Sequence, residues 1–377
     1  MKVGIISMQR VANYGSFLQA YGLKKMIEEL GHEVCFIDYK VEPCIGKSGF
    51  KGTKAYLKLK NILRIVRKKM IQANLYKVKH EVTRKILQFT YTYEDQYLPL
   101  LGIDKKMHYH TPVDVVVLGS DEIFNCLQDN DDVGFSKELF GVNQRAQKMI
   151  TYAASFGNTT VGRLQQYHAT QQVKQWLENI HVFSARDKNT GVVLQQLTNK
   201  TPMYHLDPVL VSDFSEQVTL HVQLKDYIII YVYPGRITPQ EAEAIKAYVK
   251  KKQKRLLCLG GYLDFCDEYR ICTPFEVLAY FQKADCIITD TFHGSIFSII
   301  TNRPFATLVR PTRNQSYGNE EKLTDLLSRL ELTERICYQI EDVWDVLERP
   351  INYEKTNEII QKEKARSREY LRKNLAK

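Results

Sequence analysis

Short β-branched runs alternate with longer amphipathic stretches along nearly the whole chain, and this alternation limits the fold more than any other feature. Neighbouring parallel strands need a long crossover, usually a helix, so the pattern predicts an α/β fold with parallel sheets. The predicted strands cover 2–7, 33–38, 114–118, 148–153, 180–184, 227–233, 255–261, 286–290 and 304–309. The predicted helices include 15–30, 55–89, 163–177, 238–252 and 274–283, with another from about 294.

The length of the chain indicates two domains. A single hydrophobic core rarely grows beyond about 250–300 residues, and this chain has 377. The pattern of strands and helices restarts after HLDPVLV at 205–211. We therefore predict two Rossmann-like domains, 1–210 and 211–350, facing across a cleft, with ligands at the carboxyl ends of the strands. A charged surface helix at 351–377 is expected to end the chain.

The positive charge is concentrated in one predicted insertion, at about 47–90. Residues 47–85 contain thirteen Lys or Arg and one acid, Glu81, in a chain of net charge +10. Apolar residues recur there at helical spacing and predict a basic amphipathic helix: Leu59, Ile62, Leu63, Val66, Met70 and Ala73. Three interpretations stay open: a lid helix that packs its stripe on its own domain, a helix on anionic lipid, and a nucleic-acid patch. Nucleic acid is the least favoured, because no recognised binding module accompanies the charge.

Several classes of protein are disfavoured by what the sequence lacks. No apolar stretch approaches the ~20 residues that cross a bilayer, and the opening MKVGIIS resembles a buried strand more than an export signal. Eight scattered cysteines without C-x-x-C favour reduced thiols in a cytoplasmic protein and suggest no metal site. Neither a G-x-G-x-x-G nor a P-loop motif is present.

The loops that follow the N-terminal strands carry polar side chains. Asn13, Tyr14 and Gly15 follow the first strand and open a helix, whose free amides attract an anion or a sugar hydroxyl. A tight turn capped by Asn13 is the alternative. Ser120 and Asp121 follow the strand 114–118, and Asp121 is either a proton acceptor or a cap for the next turn.

Two further N-terminal strand ends supply candidate residues. Ser155 and Phe156 follow the strand at 148–153, in ITYAASFG. Arg186, in SARD, follows the strand at 180–184 and suits a bidentate contact with a carboxylate or phosphate, unless it pairs at the surface with Asp187.

The most informative stretch lies at 284–315. The strand CIIT ends at Asp290 and Thr291, a helix is predicted from about Ser295, and His293 lies with Gly294 in the connection. Because imidazole titrates near neutral pH, His293 there is a candidate general acid. The amides of Gly294 and Ser295 would offer a site for a phosphate or carboxylate.

The next strand delivers two arginines to the same edge of the sheet. Arg310 and Arg313 could therefore join Arg186 and His293 in one cationic pocket across the two domains. Such a pocket would suit a small ligand with two or three negative charges.

The order and spacing of these segments resemble the polysaccharide pyruvyl transferase family over most of the chain. The matching segments are NYGSFLQAYGL, GSDEIFN, ITYAASFG, SARD, HLDPVLV, LGG and ADCIITDTFHGSIFSI, followed by the RPF strand. The resemblance implies a GT-B-like pair of domains. It also implies transfer of a pyruvyl group from phosphoenolpyruvate to sugar hydroxyls of a surface-polysaccharide precursor, which forms a cyclic ketal.

The resemblance assigns roles to the candidate residues. His293 is the implied acid, and Asp121 or Asp290 accepts the proton of the sugar hydroxyl. The C-terminal domain is the expected donor side, and donor binding is implied for Arg186 from the N-terminal domain and for Thr291, Gly294, Ser295, Arg310 and Arg313. Acceptor binding, on the N-terminal side, is implied for Asn13, Tyr14, Gly15, Ser120, Ser155 and Phe156. No metal or other cofactor is required. Thr291 stands where the family motif has an arginine, so Arg310 or Arg313 would have to supply that charge.

Two other functions stay open from the sequence. The same architecture suits a GT-B glycosyltransferase with a nucleotide-sugar donor, or a glycan-binding module without chemistry. If the acceptor is a lipid-linked oligosaccharide, a peripheral position at the inner face of the membrane would bring the basic helix to an anionic membrane surface.

Overall fold

The computed structural model describes residues 1–46, 53–72, 81–128, 134–144, 146–310 and 319–376, and it confirms the α/β fold. The N-terminal half contains a parallel sheet with the strand order β2-β1-β3-β4. Its strands are β1 (Lys2–Ile6), β2 (Glu33–Phe36), β3 (Val115–Leu118) and β4 (Lys148–Thr151). Parallel bridges beside β4 connect it to a short pair, β5 (Ser184–Ala185) and β6 (Met203–Tyr204).

The C-terminal half contains a second parallel sheet, with the strand order β12-β11-β10-β7-β8-β9. Its strands are β7 (Tyr227–Tyr231), β8 (Arg255–Leu259), β9 (Glu268–Arg270), β10 (Cys286–Thr289), β11 (Phe305–Leu308) and β12 (Ile336–Cys337). Eight of the nine predicted strands are present, and the ninth, predicted at 180–184, overlaps the two-residue β5 only at Ser184. The short strands β6, β9 and β12 were not predicted.

Helices connect these strands, as the pattern predicts. They are α1 (Tyr14–Glu28), α2 (Lys54–Gln72), α3 (Glu81–Thr92), α4 (Val161–Gln166), α5 (Thr170–Leu177), α6 (Lys188–Thr198), α7 (Pro208–Val211), α8 (Pro239–Lys251), α9 (Pro274–Lys283), α10 (Phe292–Ile300), α11 (Glu320–Arg329), α12 (Asp342–Glu348) and α13 (Tyr353–Asn374). The helix predicted at 163–177 is divided in two, because His168 adopts a left-handed conformation with φ of 52°.

Local sequence sets where two C-terminal helices begin. Thr238 and Glu241 form a capping box at the start of α8, and Thr273 and Glu276 form another at the start of α9. Each box satisfies two backbone N–H groups that a helix start leaves without a partner. The cap of α8 also fixes the short loop that follows β7, which matters for the site.

The two halves of the chain share one hydrophobic core, and Tyr14 of the N-terminal half forms hydrogen bonds with the C-terminal half. The Tyr14 hydroxyl donates to the carbonyl of Cys272 at 2.8 Å and accepts from its amide at 3.2 Å. Gly260 leaves room for this ring, since a Cβ there would lie 2.5 Å from Tyr14 Cε2. Tyr14 therefore holds the halves together, away from the acceptor role predicted for it.

The last helix returns to the N-terminal half. The Tyr370 hydroxyl donates to the carbonyl of Thr151 at 2.7 Å, and Lys148 Nζ donates to the carbonyl of Asn374 at 2.7 Å. Ile360, Tyr370 and Leu371 are buried, so α13 buries one face where the charge pattern predicted a surface helix. The domain limits of 1–210 and 211–350 stay a prediction.

The basic stretch forms the separate helices α2 and α3, with residues 47–52 and 73–80, including Ala73, outside the described part. Leu59, Ile62, Leu63 and Val66 of α2 are all about half exposed or more. The interpretation of a lid that packs its stripe on its own domain is therefore wrong. No helix in the described part of the chain is long and apolar enough to cross a bilayer.

Candidate active site

A cavity lies where the carboxyl ends of the two sheets face each other, the position predicted for a ligand. The N-terminal half contributes Asn13, Ser16, Asp121, Glu122 and Arg186 to its lining. The C-terminal half contributes Tyr231, Tyr233, Arg236, Asp290, Thr291, Phe292, His293 and Lys322. Charged groups from both halves therefore surround one space.

His293 lies in the first turn of α10, which begins at Phe292, two or three residues before the predicted start. Its Nε2 is 3.5 Å from Oδ2 of Asp207, and it makes no hydrogen bond within the described part of the chain. The ring lines the cavity and its side chain is 12% exposed. Nε2 is itself buried beside this carboxylate, and His293 stays a candidate for the proton donor.

Thr291 is the N-cap of α10, and this changes the predicted anion site. Its Oγ1 accepts from the amide of Gly294 at 2.9 Å, and its carbonyl accepts from the amide of Ser295 at 3.2 Å. Both amides are therefore satisfied inside the helix, and the expectation that they bind a phosphate or carboxylate is wrong. The side chain of Ser295 is buried on Thr307, at 3.0 Å.

Asp207 is a buried carboxylate that the sequence analysis did not single out. Its Oδ2 accepts from Ser120 Oγ at 3.1 Å and from Arg186 Nη1 at 3.0 Å, and its Oδ1 caps α7 through the amide of Val209 at 3.0 Å. Burial raises the pKa of Asp207, but the charges of His293 and Arg186 outweigh burial and hold this pKa at about 2. Asp207 is therefore an anion at neutral pH and joins the acid candidate to a guanidinium.

Arg186 lies in the cavity wall, as predicted, and not at the surface. Its guanidinium stacks on the ring of Phe292 at 4.4 Å, and its Nη1 lies 3.7 Å from Asp121 Oδ1. Its Nε has no partner within the described residues. The alternative partner, Asp187, instead caps α6 and accepts from Ser155 Oγ at 2.5 Å.

Asp121 accepts a local backbone hydrogen bond and also lines the cavity, so the second role that the sequence offered stays a prediction. It follows β3 with φ of 88°, a strained conformation that Asp tolerates better than most residues. Its Oδ1 accepts from the amide of Glu122 at 2.9 Å, which is the capping role. Its Oδ2 accepts from Ser16 Oγ at 2.8 Å on the cavity side, so the carboxylate remains a candidate base.

Two cations of the C-terminal half line the cavity without having been predicted. Arg236, in the loop after β7, stacks on Tyr233 at 4.7 Å and lies 3.4 Å from Asp290 Oδ2. Lys322 of α11 reaches across to Glu122 Oε1 at 2.9 Å. The cavity wall therefore contains carboxylates paired with cations, whereas the sequence predicted a pocket of cationic side chains.

The two arginines predicted for this position are placed differently. Arg310 Nη1 pairs with Glu241 Oε1 on α8 at 2.7 Å, and Arg310 is not part of the cavity lining. Arg313 lies in 311–318, outside the described residues. Within the described part, Arg236 and not Arg310 therefore brings a guanidinium to the end of β10.

Asp290 directly follows β10 and is a fully buried carboxyl group in the cavity wall. Burial raises its pKa, and the opposing charges of Arg236 and Arg310 do not cancel this effect. Its Oδ1 has no partner among the described residues. The raised pKa means that Asp290 keeps its proton to a higher pH than an ordinary carboxyl group.

Few of the predicted acceptor residues line the cavity. Asn13 does: its Oδ1 caps α1 through the amides of Gly15 and Ser16, and its Nδ2 donates to the Tyr233 hydroxyl at 3.1 Å. The capped turn is thus the better interpretation of this loop. Ser155 is buried on Asp187, and Phe156 packs among core phenylalanines.

Gly15 lies against the side chain of His293 and leaves room for its ring. A Cβ at Gly15 would lie 2.1 Å from Nδ1 of His293, so only glycine lets the ring pack against the start of α1.

We expect Gly15→Ala to displace the ring of His293 and lower turnover by about 10²-fold, the cost of an ångström-scale misplacement. Gly162→Ala in α4 is the matched control, because a Cβ there meets no atom within 4 Å. Steady-state rates and melting temperatures of both variants test this; equal rates would show that the ring position does not limit turnover.

Two of the missed residues carried a usable signal. Arg236 follows the strand YIIIYVY, and the rule that places ligands at strand ends applies there as it does at His293. Asp207 in HLDPVLV is an acid in an apolar stretch, followed by proline, which is the pattern of a helix cap. No sequence pattern pairs Lys322 with Glu122, because the contact joins different halves of the chain.

Similarity to solved structures is at the level of the fold. The UDP-GlcNAc 2-epimerase from Neisseria meningitidis bound to UDP-GlcNAc is 12% identical, with a TM-score of 0.50 over 99% of this chain and 100% of that one. S. aureus MnaA with UDP is 10% identical, with a TM-score of 0.47 over 96% and 90%. E. coli heptosyltransferase WaaC is 10% identical, with a TM-score of 0.40 over 96% and 99%. No curated protein matches this chain.

Two Rossmann-like sheets that face each other across a charged cavity define a GT-B-like protein. The family model for polysaccharide pyruvyl transferase matches residues 13–310. The chain therefore belongs to the polysaccharide pyruvyl transferase family, as its motifs indicated, and is a transferase.

Proposed function

We propose that this protein transfers a pyruvyl group from phosphoenolpyruvate to two hydroxyls of a sugar in a surface-polysaccharide precursor, forming a cyclic ketal. The supporting observation is that His293, Arg186 and Arg236 line one cavity, and that the buried carboxylate of Asp207 contacts both His293 and Arg186. A proton donor beside guanidinium groups from both halves suits a small, highly charged donor whose double bond must be protonated.

Arg186 and Arg236 bind the donor in this proposal. Phosphoenolpyruvate carries a carboxylate and a phosphate, and guanidinium groups bind both through paired hydrogen bonds. Arg236 supplies the charge that Thr291 lacks, because β7 lies directly beside β10 in the sheet. A protonated Asp290 would place no negative charge beside Arg236 when the phosphate of the donor binds.

The first chemical step adds one sugar hydroxyl to the donor. The protonated His293 gives its proton to the methylene carbon, which becomes a methyl group, while the hydroxyl oxygen bonds to the adjacent carbon. Asp121 accepts the proton of that hydroxyl, since it lines the cavity on the N-terminal side.

The second step closes the ketal. A second hydroxyl of the same sugar bonds to the same carbon, the carbon–oxygen bond to phosphate breaks, and the hydroxyl proton leaves with the phosphate. The balance needs no oxidant, metal or other cofactor, so phosphoenolpyruvate is the only co-substrate proposed. We propose a sugar or lipid-linked oligosaccharide as acceptor, met by a peripheral enzyme at the inner face of the membrane.

Donor binding tests the proposal. We expect phosphoenolpyruvate to raise the melting temperature of the full chain, because ligand that binds only the folded state stabilises it. With a panel of sugar and glycolipid acceptors, labelled phosphoenolpyruvate should yield inorganic phosphate and labelled ketal. Stabilisation by UDP-sugars alone would favour glycosyl transfer, and sugar binding without phosphate release would indicate a binding module.

Arg236 and Arg310 form a matched pair for the donor site. We expect Arg236→Gln to weaken phosphoenolpyruvate binding by at least about tenfold, the usual size of one lost charged hydrogen bond. Arg310→Gln should bind the donor as the unmodified protein does, since Arg310 pairs with Glu241. If Arg310→Gln weakened donor binding more than Arg236→Gln did, Arg310 would be the residue that supplies the charge missing at Thr291.

A further inference from the structure

Helix α2 presents an apolar face to solvent. Its members recur at helical spacing and therefore share one side of the helix. Their exposed fractions lie between 37% and 59%, and they are Leu59, Ile62, Leu63, Val66 and Met70. A run of large aliphatic side chains this exposed marks an interaction site in a folded protein.

The rest of α2 is strongly basic. The helix sequence KAYLKLKNILRIVRKKMIQ contains seven Lys or Arg and no acid. Arg64, on the side away from Leu59, pairs with Glu94 Oε1 at 2.5 Å, and Lys54 pairs with Glu42 Oε1 at 3.6 Å. Lys54 and Arg64 thus attach α2 to the body of the protein, while its apolar face remains outward.

We propose that α2 docks this protein on an anionic lipid bilayer, with its apolar face among the acyl chains and its basic residues at the headgroups. An apolar stripe flanked by Lys and Arg is the composition of helices that lie in the membrane interface. The stripe from Leu59 to Met70 spans roughly 16 Å at about 1.5 Å per residue, long enough to lie flat in a bilayer surface.

Other occupants fit the same face less well. A second copy of α2 would bring seven further positive charges against the first seven, which opposes self-association. Nucleic acid would attract the basic helix but would leave the aliphatic stripe in water, because phosphates offer it no apolar surface. Anionic lipid satisfies both, since it has charged headgroups above acyl chains.

Vesicle sedimentation of the full chain tests the docking. We expect retention on phosphatidylcholine vesicles that contain phosphatidylglycerol, weak retention on phosphatidylcholine alone, and release from the anionic vesicles as salt is raised. Equal retention by both vesicles, or by neither, would overturn the proposal. The readout uses no donor or acceptor, so it is independent of the proposed activity.

A matched pair of variants separates insertion from simple charge attraction. We expect Ile62→Ser/Leu63→Ser/Val66→Ser to lower vesicle affinity by at least about tenfold, because it removes apolar area while every charge stays. Val192→Ser on α6 should leave affinity unchanged, although Val192 is 43% exposed, close to the 47% of Val66. Circular dichroism checks the fold of each variant. Full affinity in the triple variant, or stronger binding to duplex DNA than to vesicles, would refute docking by the apolar face.

Discussion

Replacing His293 by glutamine is expected to lower the rate of pyruvyl transfer by about 10²–10⁴-fold, the usual contribution of a general acid. Glutamine is similar in size and keeps a hydrogen-bond donor, but it cannot transfer a proton to carbon. Donor binding should change little, because the guanidinium groups of Arg186 and Arg236 remain. Phosphate release at saturating donor and acceptor measures the rate, and donor titration measures the binding.

His221→Gln is the control for this variant, since His221 is exposed and lies outside the cavity lining. It should transfer pyruvate at the normal rate. A normal rate in His293→Gln as well would remove this side chain from the chemistry, whatever the donor proves to be.

Replacing Asp207 by alanine is expected to lower the free energy of unfolding at neutral pH by about 3–5 kcal/mol. The change leaves the buried guanidinium of Arg186 without its carboxylate at 3.0 Å and removes the cap of α7. It should also slow turnover, because His293 loses the anion that lies 3.5 Å from its ring. Urea unfolding of both proteins gives the stability difference.

Asp213→Ala provides the comparison for this stability measurement. Asp213 is exposed and accepts from the amide of Ser215 at 2.9 Å, so the variant loses a turn contact but no buried ion pair. We expect its cost to stay below about 1 kcal/mol, as for other surface changes. Equal costs for the two variants would show that Asp207 contributes only as a cap.

The stability contributed by Asp207 should depend on pH in one direction. Its pKa is about 2 in the folded protein, below the ordinary value of about 3.9 for an unfolded chain. The contribution is therefore complete above the ordinary value and is lost as the pH falls through it toward 2. The difference between Asp207→Ala and the unmodified protein should shrink over that interval, and a constant difference would place the pKa elsewhere.

The strand-end rule explains both the success and the failure of site prediction. It placed His293, Asp121 and Arg186 at the facing edges of the sheets, because parallel strands all end on the same side. It does not say where a long side chain turns. Arg310 follows β11 at the predicted edge of the sheet, but its side chain pairs with Glu241. Arg236, in the loop after β7, lies beside Asp290 in the cavity wall.

Capping side chains explain why the amides at the start of α10 do not form the predicted anion site. The sequence showed that a helix begins near His293, and free amides at a helix start attract anions. Thr291 satisfies the amide of Gly294 with its own side chain, and Asn13 does the same for Gly15 and Ser16. A good capping residue at a helix start therefore predicts that the backbone amides of that turn are already hydrogen-bonded.

The sequence by itself determined the order of strands and helices, the capped helix starts and the edges at which chemistry could lie. These follow from periodicity and hydrogen bonding over a few residues. Only the tertiary structure decided that Asp207 would lie beside His293, that Gly15 would make room for its ring, and that the apolar face of α2 would point to solvent. Contacts between residues far apart in the chain depend on how the two halves pack, and no local pattern encodes that packing.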